Sequence, residues 1–158
     1  MIRVLFVCTG NICRSPTAEG VFRHQLAAAG RTDEIACDSA GTTAFHVGEP
    51  PDPRTRAAAA RRGYRLDDIR ARRLEAADFS RFDVMLAMDR GHLREMRAMA
   101  PPGATARLGL FLDHARRHSG DVGDPYYGGP DGFETVLDMI EDGAQGLLAD
   151  LLAAPPTS

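Results

Sequence analysis

The stretch Val4-Leu5-Phe6-Val7-Cys8-Thr9-Gly10-Asn11-Ile12-Cys13-Arg14-Ser15-Pro16 constrains this chain more than any other. Val4 to Val7 is a short apolar run of mainly β-forming residues, which predicts a buried strand. The pattern breaks at Cys8, and a loop of small residues carries the chain to Ser15-Pro16. There Ser15-Pro16-Thr17-Ala18-Glu19 predicts a helix start, with Ser15 as N-cap, Pro16 at the first helical position and Glu19 as an early acid. A strand, a tight loop and a helix N-terminus surround a small hollow with backbone N–H groups. Such a hollow attracts an oxyanion through unpaired donors and the positive end of the helix dipole.

The side chains of the loop give the hollow its chemistry. Cys8 opens the loop and Arg14 closes it, with five residues between them. A thiol beside a helix N-terminus and an Arg is disposed to ionise, and the thiolate is the nucleophilic form. Arg14 offers a planar fork that can hold two equatorial phosphate oxygens while charge builds. A nucleophile beneath a phosphate cradle predicts phosphoryl transfer through a phosphocysteine. Neither G-x-G-x-x-G nor G-x-x-x-x-G-K-[ST] occurs, so the loop does not read as a nucleotide site.

From Val7 to Pro16 the sequence resembles the signature loop of the low-molecular-weight protein tyrosine phosphatases. Three further matches follow in family order: Asp38-Ser39-Ala40-Gly41-Thr42, Met88-Asp89 and Asp124-Pro125-Tyr126-Tyr127. The likeness spans all but the last few residues. It implies a cysteine-dependent phosphatase acting on phosphotyrosine in proteins, with Cys8, Arg14 and Asp124 catalytic. Thr9, Gly10, Asn11, Ile12, Cys13, Arg14 and Ser15 would bind the phosphate, and Ser15 would donate to the Cys8 sulfur. Asn11, Ser39 and Asp89 would support the loop. Phe45, His46, Tyr126 and Tyr127 would line the substrate cleft, and Tyr126 or Tyr127 can be the target of a tyrosine kinase. By the same resemblance Cys8 and Cys13 can form a reversible disulfide. The resemblance implies no cofactor and no metal, since Arg14 and the loop amides neutralise the charge.

Taken from the residues alone, several of these assignments stay open. Asn tolerates left-handed backbone, which a loop aiming its amides inward often needs. Ser39 also reads as a turn residue, Asp89 as a helix N-cap, Phe45 as loop packing and Cys13 as loop filler. A phosphate ester needs a proton for its leaving group, and both Asp121 and Asp124 stand in the loop that could supply it. Asp124 is preferred through the family motif. Many family members carry a His in the segment after Gly63, where this chain has Ile69-Arg70-Ala71-Arg72-Arg73. Some other group must then support the loop, and the run of Arg reads as a solvated face.

The rest of the chain predicts the frame. Helices are expected over residues 18–29, 54–62, 90–99 and 131–153, and strands near 3–8, 35–39, 84–88 and 106–109. Alternation of this kind predicts a three-layer α/β fold, a doubly wound sheet of four parallel strands with helices on both faces and the loop at the switch point. Residues 1–154 read as one flavodoxin-like domain and 155–158 as a flexible tail. His114 and His118 read as an exposed pair. A net charge of −3 gives no reason to expect nucleic acid, and no apolar run reaches the roughly 20 residues of a membrane span. Three cysteines are too few for a disulfide scaffold, and Met1-Ile2-Arg3 runs straight into a strand, so a reducing, cytoplasmic setting is expected, with export lacking a signal peptide left open.

Two rivals resemble the same scaffold. Arsenate reductases need further cysteines to pass a disulfide outward, and this chain has none after Cys37. Protein arginine phosphatases carry a smaller Thr where this chain has Ile12, and often one aromatic after Asp-Pro. A silent phosphate-binding module is the alternative from another class, although binding alone needs neither thiolate nor acid.

Overall fold

The apolar run at the start of the chain forms the centre of the sheet. The computed structural model describes residues 1–123 and 130–153. In it β1 (Ile2–Cys8) lies between β2 (Ile35–Gly41) and β3 (Val84–Ala87), and β4 (Arg107–Leu110) flanks β3. All three pairings are parallel; Cys8 stands opposite Gly41, and Val7 opposite both Ala40 and Ala87. The four strands fall where the sequence placed them.

Successive side chains of β1 enter opposite cores, which is why the run carries no polar alternation. Val4, Phe6 and Cys8 pack into the larger core with α1 (Arg14–Ala28) and α5 (Pro130–Ala153). Leu5 and Val7 face the other core, filled by Phe79 of the short α3 (Asp78–Arg81) and by Leu93 and Met96 of α4 (Arg90–Met99). Phe6 sits edge-on between Phe22 and Phe111, with ring centroids 5.7 Å away on each side. Burial of such a ring contributes roughly 1.5–3 kcal/mol. The remaining helix, α2 (Pro53–Arg61), is capped by Asp52, whose side chain accepts from the Arg54 amide.

The chain leaves β1 toward β2 and later returns on the other side of β1 as β3, so the carboxyl ends of β1 and β3 form the switch point. The loop from Cys8 and the turn at Asp89 both emerge there.

Three local expectations need correction. Helix α1 begins at Arg14, so Cys13 is its N-cap, and Ser15 lies inside the first turn with its hydroxyl spent elsewhere. His114 and His118 are not an exposed pair: each Nδ1 meets a carboxylate of α5, Asp150 at 2.7 Å and Asp142 at 2.8 Å. Arg72 is not a solvated residue. Its guanidinium lies 3.1 Å from Asp38 and 3.0 Å from Asp78, which is wholly buried. Asp124, Tyr126, Tyr127 and the tail 155–158 lie outside the described residues. Among the described residues no helix is long and apolar enough to cross a membrane.

Candidate active site

The loop between β1 and α1 is held by its carbonyl groups. The Cys8 carbonyl accepts from the Thr42 amide at 2.9 Å, Thr9 from Thr43 at 3.1 Å, Ile12 from Asp52 at 2.8 Å and Cys13 from Thr17 at 3.2 Å. Among the described residues no peptide bond is cis. In a trans peptide the N–H points opposite to the C=O. With these four carbonyls turned onto surrounding structure, the amides of Thr9, Gly10, Cys13 and Arg14 turn the other way, into the hollow. Backbone dipoles arranged in this way can cradle an anion.

Two special backbone positions make the curl possible. Asn11 has φ 58°, the one non-glycine residue with positive φ among those described. Its amide side chain is fully employed. Nδ2 donates to Ser15 Oγ at 2.8 Å and to Ser39 Oγ at 2.9 Å, while Oδ1 accepts from the Arg72 amide at 2.9 Å. The Arg72 donor fixes which way round the amide lies. Gly41 makes room beneath the loop, since a Cβ there would stand 2.7 Å from the Thr9 carbonyl oxygen.

Cys8 is buried at the end of β1, and its Sγ lies 2.9 Å from Ser15 Oγ. Because Ser15 Oγ already accepts from Asn11, its own hydrogen is free to point at sulfur. Arg14 is buried too. Its Nη1 donates to Asp89 Oδ2 and to the Val122 carbonyl, each at 3.0 Å. Asp89 is also the N-cap of α4, its Oδ1 accepting from the His92 amide at 2.8 Å.

The rim carries different chemistry. Phe45 is 85 % exposed, a flat ring open to solvent. The His46 ring lies over the loop: a Cβ at Gly10 would stand 2.9 Å from its Cδ2, and its Nδ1 meets Glu49 Oε2. Ile12 is half-buried in the loop itself. Asp121 is engaged by Arg90, with its Oδ1 3.0 Å from the Arg90 amide and 3.2 Å from Nε. Desolvation raises its pKa, but the Arg90 hydrogen bonds and charge outweigh that and hold it below the usual carboxylate range.

Of the other thiols, Cys13 is buried against a small apolar gap lined by Thr17, Thr55, Phe133 and Val136. Cys37 is chemically quiet, because burial and the neighbouring Glu19 push its pKa up to about 12.

A family profile described as low molecular weight phosphotyrosine protein phosphatase matches residues 3–155. The chain belongs to that family. A low molecular weight protein-tyrosine-phosphatase of Streptomyces coelicolor is 50 % identical over 93 % of this chain and 92 % of its own length. Among solved structures, YfkJ from Bacillus subtilis superposes with a TM-score of 0.90 at 40 % identity, covering 96 % of this chain and 95 % of that one. The Drosophila arginine phosphatase superposes equally well, TM-score 0.90, at 30 % identity over 98 % and 100 % of the two chains. Membership makes the chain an enzyme of the phosphoric monoester hydrolase class.

Three residues around this phosphatase loop escaped the sequence reading. Ile69, at the position where the resemblance implied a His, is buried in a small apolar cluster with Ala59 and Leu66. The Arg72 amide serves Asn11 instead, and Glu19 Oε1 accepts from Ser39 Oγ at 2.6 Å. His92 is the third, with Nε2 2.6 Å from Thr9 Oγ1. A signal existed for Glu19 and His92: Glu19 lies four residues before Arg23, and His92 three after Asp89, both neighbours on a helix. Nothing local tied either residue to the loop.

Proposed function

We propose that this phosphatase hydrolyses phosphotyrosine in proteins in two steps. Cys8 thiolate attacks phosphorus, forming an S–P bond as the P–O bond to the phenol breaks. Arg14 and the inward amides hold the equatorial oxygens, and Asp124 gives its proton to the departing phenolate. Water then attacks phosphorus, Asp124 takes up its proton, and the S–P bond breaks to return the thiolate and inorganic phosphate. The observation that carries the reading is the cradle: four loop carbonyls anchored outward around a buried Cys8, with Arg14 fixed by Asp89 at 3.0 Å.

Asp121 is the weaker candidate for the acid, because Arg90 holds it as an anion with no proton to give. Exposed Phe45 and half-buried His46 suit a flat phenol ring at the mouth. The names of the relatives favour tyrosine, as does Ile12 in the loop. The cytoplasm, where Cys8 stays reduced, is the setting that fits this chemistry.

The test is phosphate release from a phosphotyrosine peptide and from a phosphoarginine substrate, with wild type beside Cys8→Ser and Asp124→Ala. Turnover of phosphotyrosine is expected, abolished by Cys8→Ser and reduced on the order of 10²-fold or more by Asp124→Ala. Turnover confined to phosphoarginine would move the chain to the arginine branch. Full activity in Cys8→Ser would sink the phosphocysteine.

A further inference from the structure

One buried histidine joins the two ends of the cradle, and the mechanism above does not use it. His92 stands at the third position of α4, 3 % exposed. Its Nε2 lies 2.6 Å from the hydroxyl of Thr9, the residue that follows the nucleophile. Its Nδ1 lies 3.1 Å from Asp89 Oδ1. The second oxygen of that carboxylate accepts from Arg14 at 3.0 Å. A closed circuit therefore runs from Thr9 through His92 and Asp89 to Arg14, and back along the loop.

The ring faces an oxygen at each nitrogen, the Asp89 carboxylate at Nδ1 and the Thr9 hydroxyl at Nε2, so the imidazole spans the two groups. The Thr9 hydroxyl is thereby tethered to α4.

We propose that His92 is a positioning residue of the phosphate cradle, setting the Thr9 end of the loop against the Arg14 end through Asp89. The inference rests on the reading of the loop as a cradle for a transferring phosphoryl group. Preorganised donors matter most where charge is greatest, in the five-coordinate transition state. Loosening the Thr9 end therefore weakens binding of a trigonal-bipyramidal oxyanion more than binding of tetrahedral phosphate. A histidine that merely anchored α4 in the core would alter stability and leave that ratio alone.

The experiment uses the full chain and two oxyanions, vanadate and inorganic phosphate, with dissociation constants from calorimetry. The variants are Thr9→Val, His92→Leu, His92→Gln, His92→Asn and the double variant Thr9→Val/His92→Leu. Thr9 is exposed, so Thr9→Val keeps the fold even if a change at His92 does not. Thr9→Val and His92→Leu should each weaken vanadate binding by about tenfold, the order of one hydrogen bond lost, with phosphate nearly unmoved. The double variant should be no worse than either single one. His92→Gln, whose amide reaches the place of Nε2, should restore much of the loss, and His92→Asn, which reaches only the place of Nδ1, should not. Multiplying losses, or unchanged vanadate binding in Thr9→Val, overturns the proposal. Turnover of a phosphotyrosine peptide by the wild type, and its loss in Cys8→Ser, reports separately on the phosphatase reading, so the two can fail independently.

Discussion

Glu19 should make this phosphatase lose stability as the solution passes from mildly acidic to neutral. The carboxyl lies inside α1, 4 % exposed, ion-paired to Arg23 and accepting from Ser39. Burial raises its pKa more than Ser39 and Arg23 lower it, to about 7 from an ordinary 4.5. Folding therefore favours the protonated acid. The stabilisation this contributes is whole below pH 4.5 and is lost as the pH rises through 7. At about 1.4 kcal/mol per pH unit, ionising Glu19 in the folded chain costs about 3 kcal/mol in all, of which about 2.5 kcal/mol falls between pH 5 and pH 8.

Glu19→Gln removes the titration and keeps an oxygen to accept from Ser39. Urea unfolding of both proteins at pH 5, 6, 7 and 8 gives the comparison, because every other ionisation is common to the two and cancels. Relative to wild type, the variant should gain about 2.5 kcal/mol across that range, equivalent to roughly 5–10 °C in Tm for a domain of this size. Parallel stability profiles, differing by a constant within about 0.5 kcal/mol, would refute the reasoning and show that Arg23 holds Glu19 charged throughout.

Two further outcomes follow from single contacts. Asp89→Asn keeps a side-chain oxygen to cap α4 but removes the charge facing Arg14, so kcat should fall by about tenfold with little change in Tm, measured by steady-state kinetics beside thermal unfolding. Gly146→Ala would set a Cβ 1.7 Å from the His114 carbonyl oxygen, where α5 crosses the short helical turn Phe111–His114; a loss of about 1–3 kcal/mol or more is expected in urea unfolding, with the loop from Cys8 to Arg14 untouched.

How much of this was legible beforehand divides by range. Val4 to Val7 announced a strand buried on both faces because each residue is apolar, and no other element could use such a run. The helix of residues 90–99 announced itself through Leu93 and Met96, which meet the same core. The start of α1 was misplaced for a local reason. Ser15-Pro16 has the residue types of a cap, yet the hydroxyl is worth more against Cys8 and Asn11, and the helix begins a turn's fraction earlier at Arg14. The links from the loop to Glu19, Arg72 and His92 were illegible because each is made across the fold. Arg72 comes to Asn11 from 61 positions away and His92 to Thr9 from 83. No periodicity within one element encodes such a meeting.

Ile69, standing where the resemblance implied a His, shows what the fold demands and what it leaves free. Asn11 in left-handed backbone needs its whole amide satisfied, since a buried polar group without a partner costs about 1–3 kcal/mol. Both of its hydrogens go to hydroxyls, Ser15 and Ser39, and each hydroxyl must pass its own hydrogen onward. Ser15 passes it to Cys8, and Ser39 passes it to Glu19. The two branches share a direction: hydrogen-bond donation runs outward from Asn11, ending on sulfur at one end and on a carboxyl oxygen at the other. A histidine is not required for that, only an acceptor beyond Ser39 and a donor to Asn11 Oδ1. Glu19 is the acceptor and the Arg72 amide is the donor, so position 69 is released to pack as a hydrocarbon.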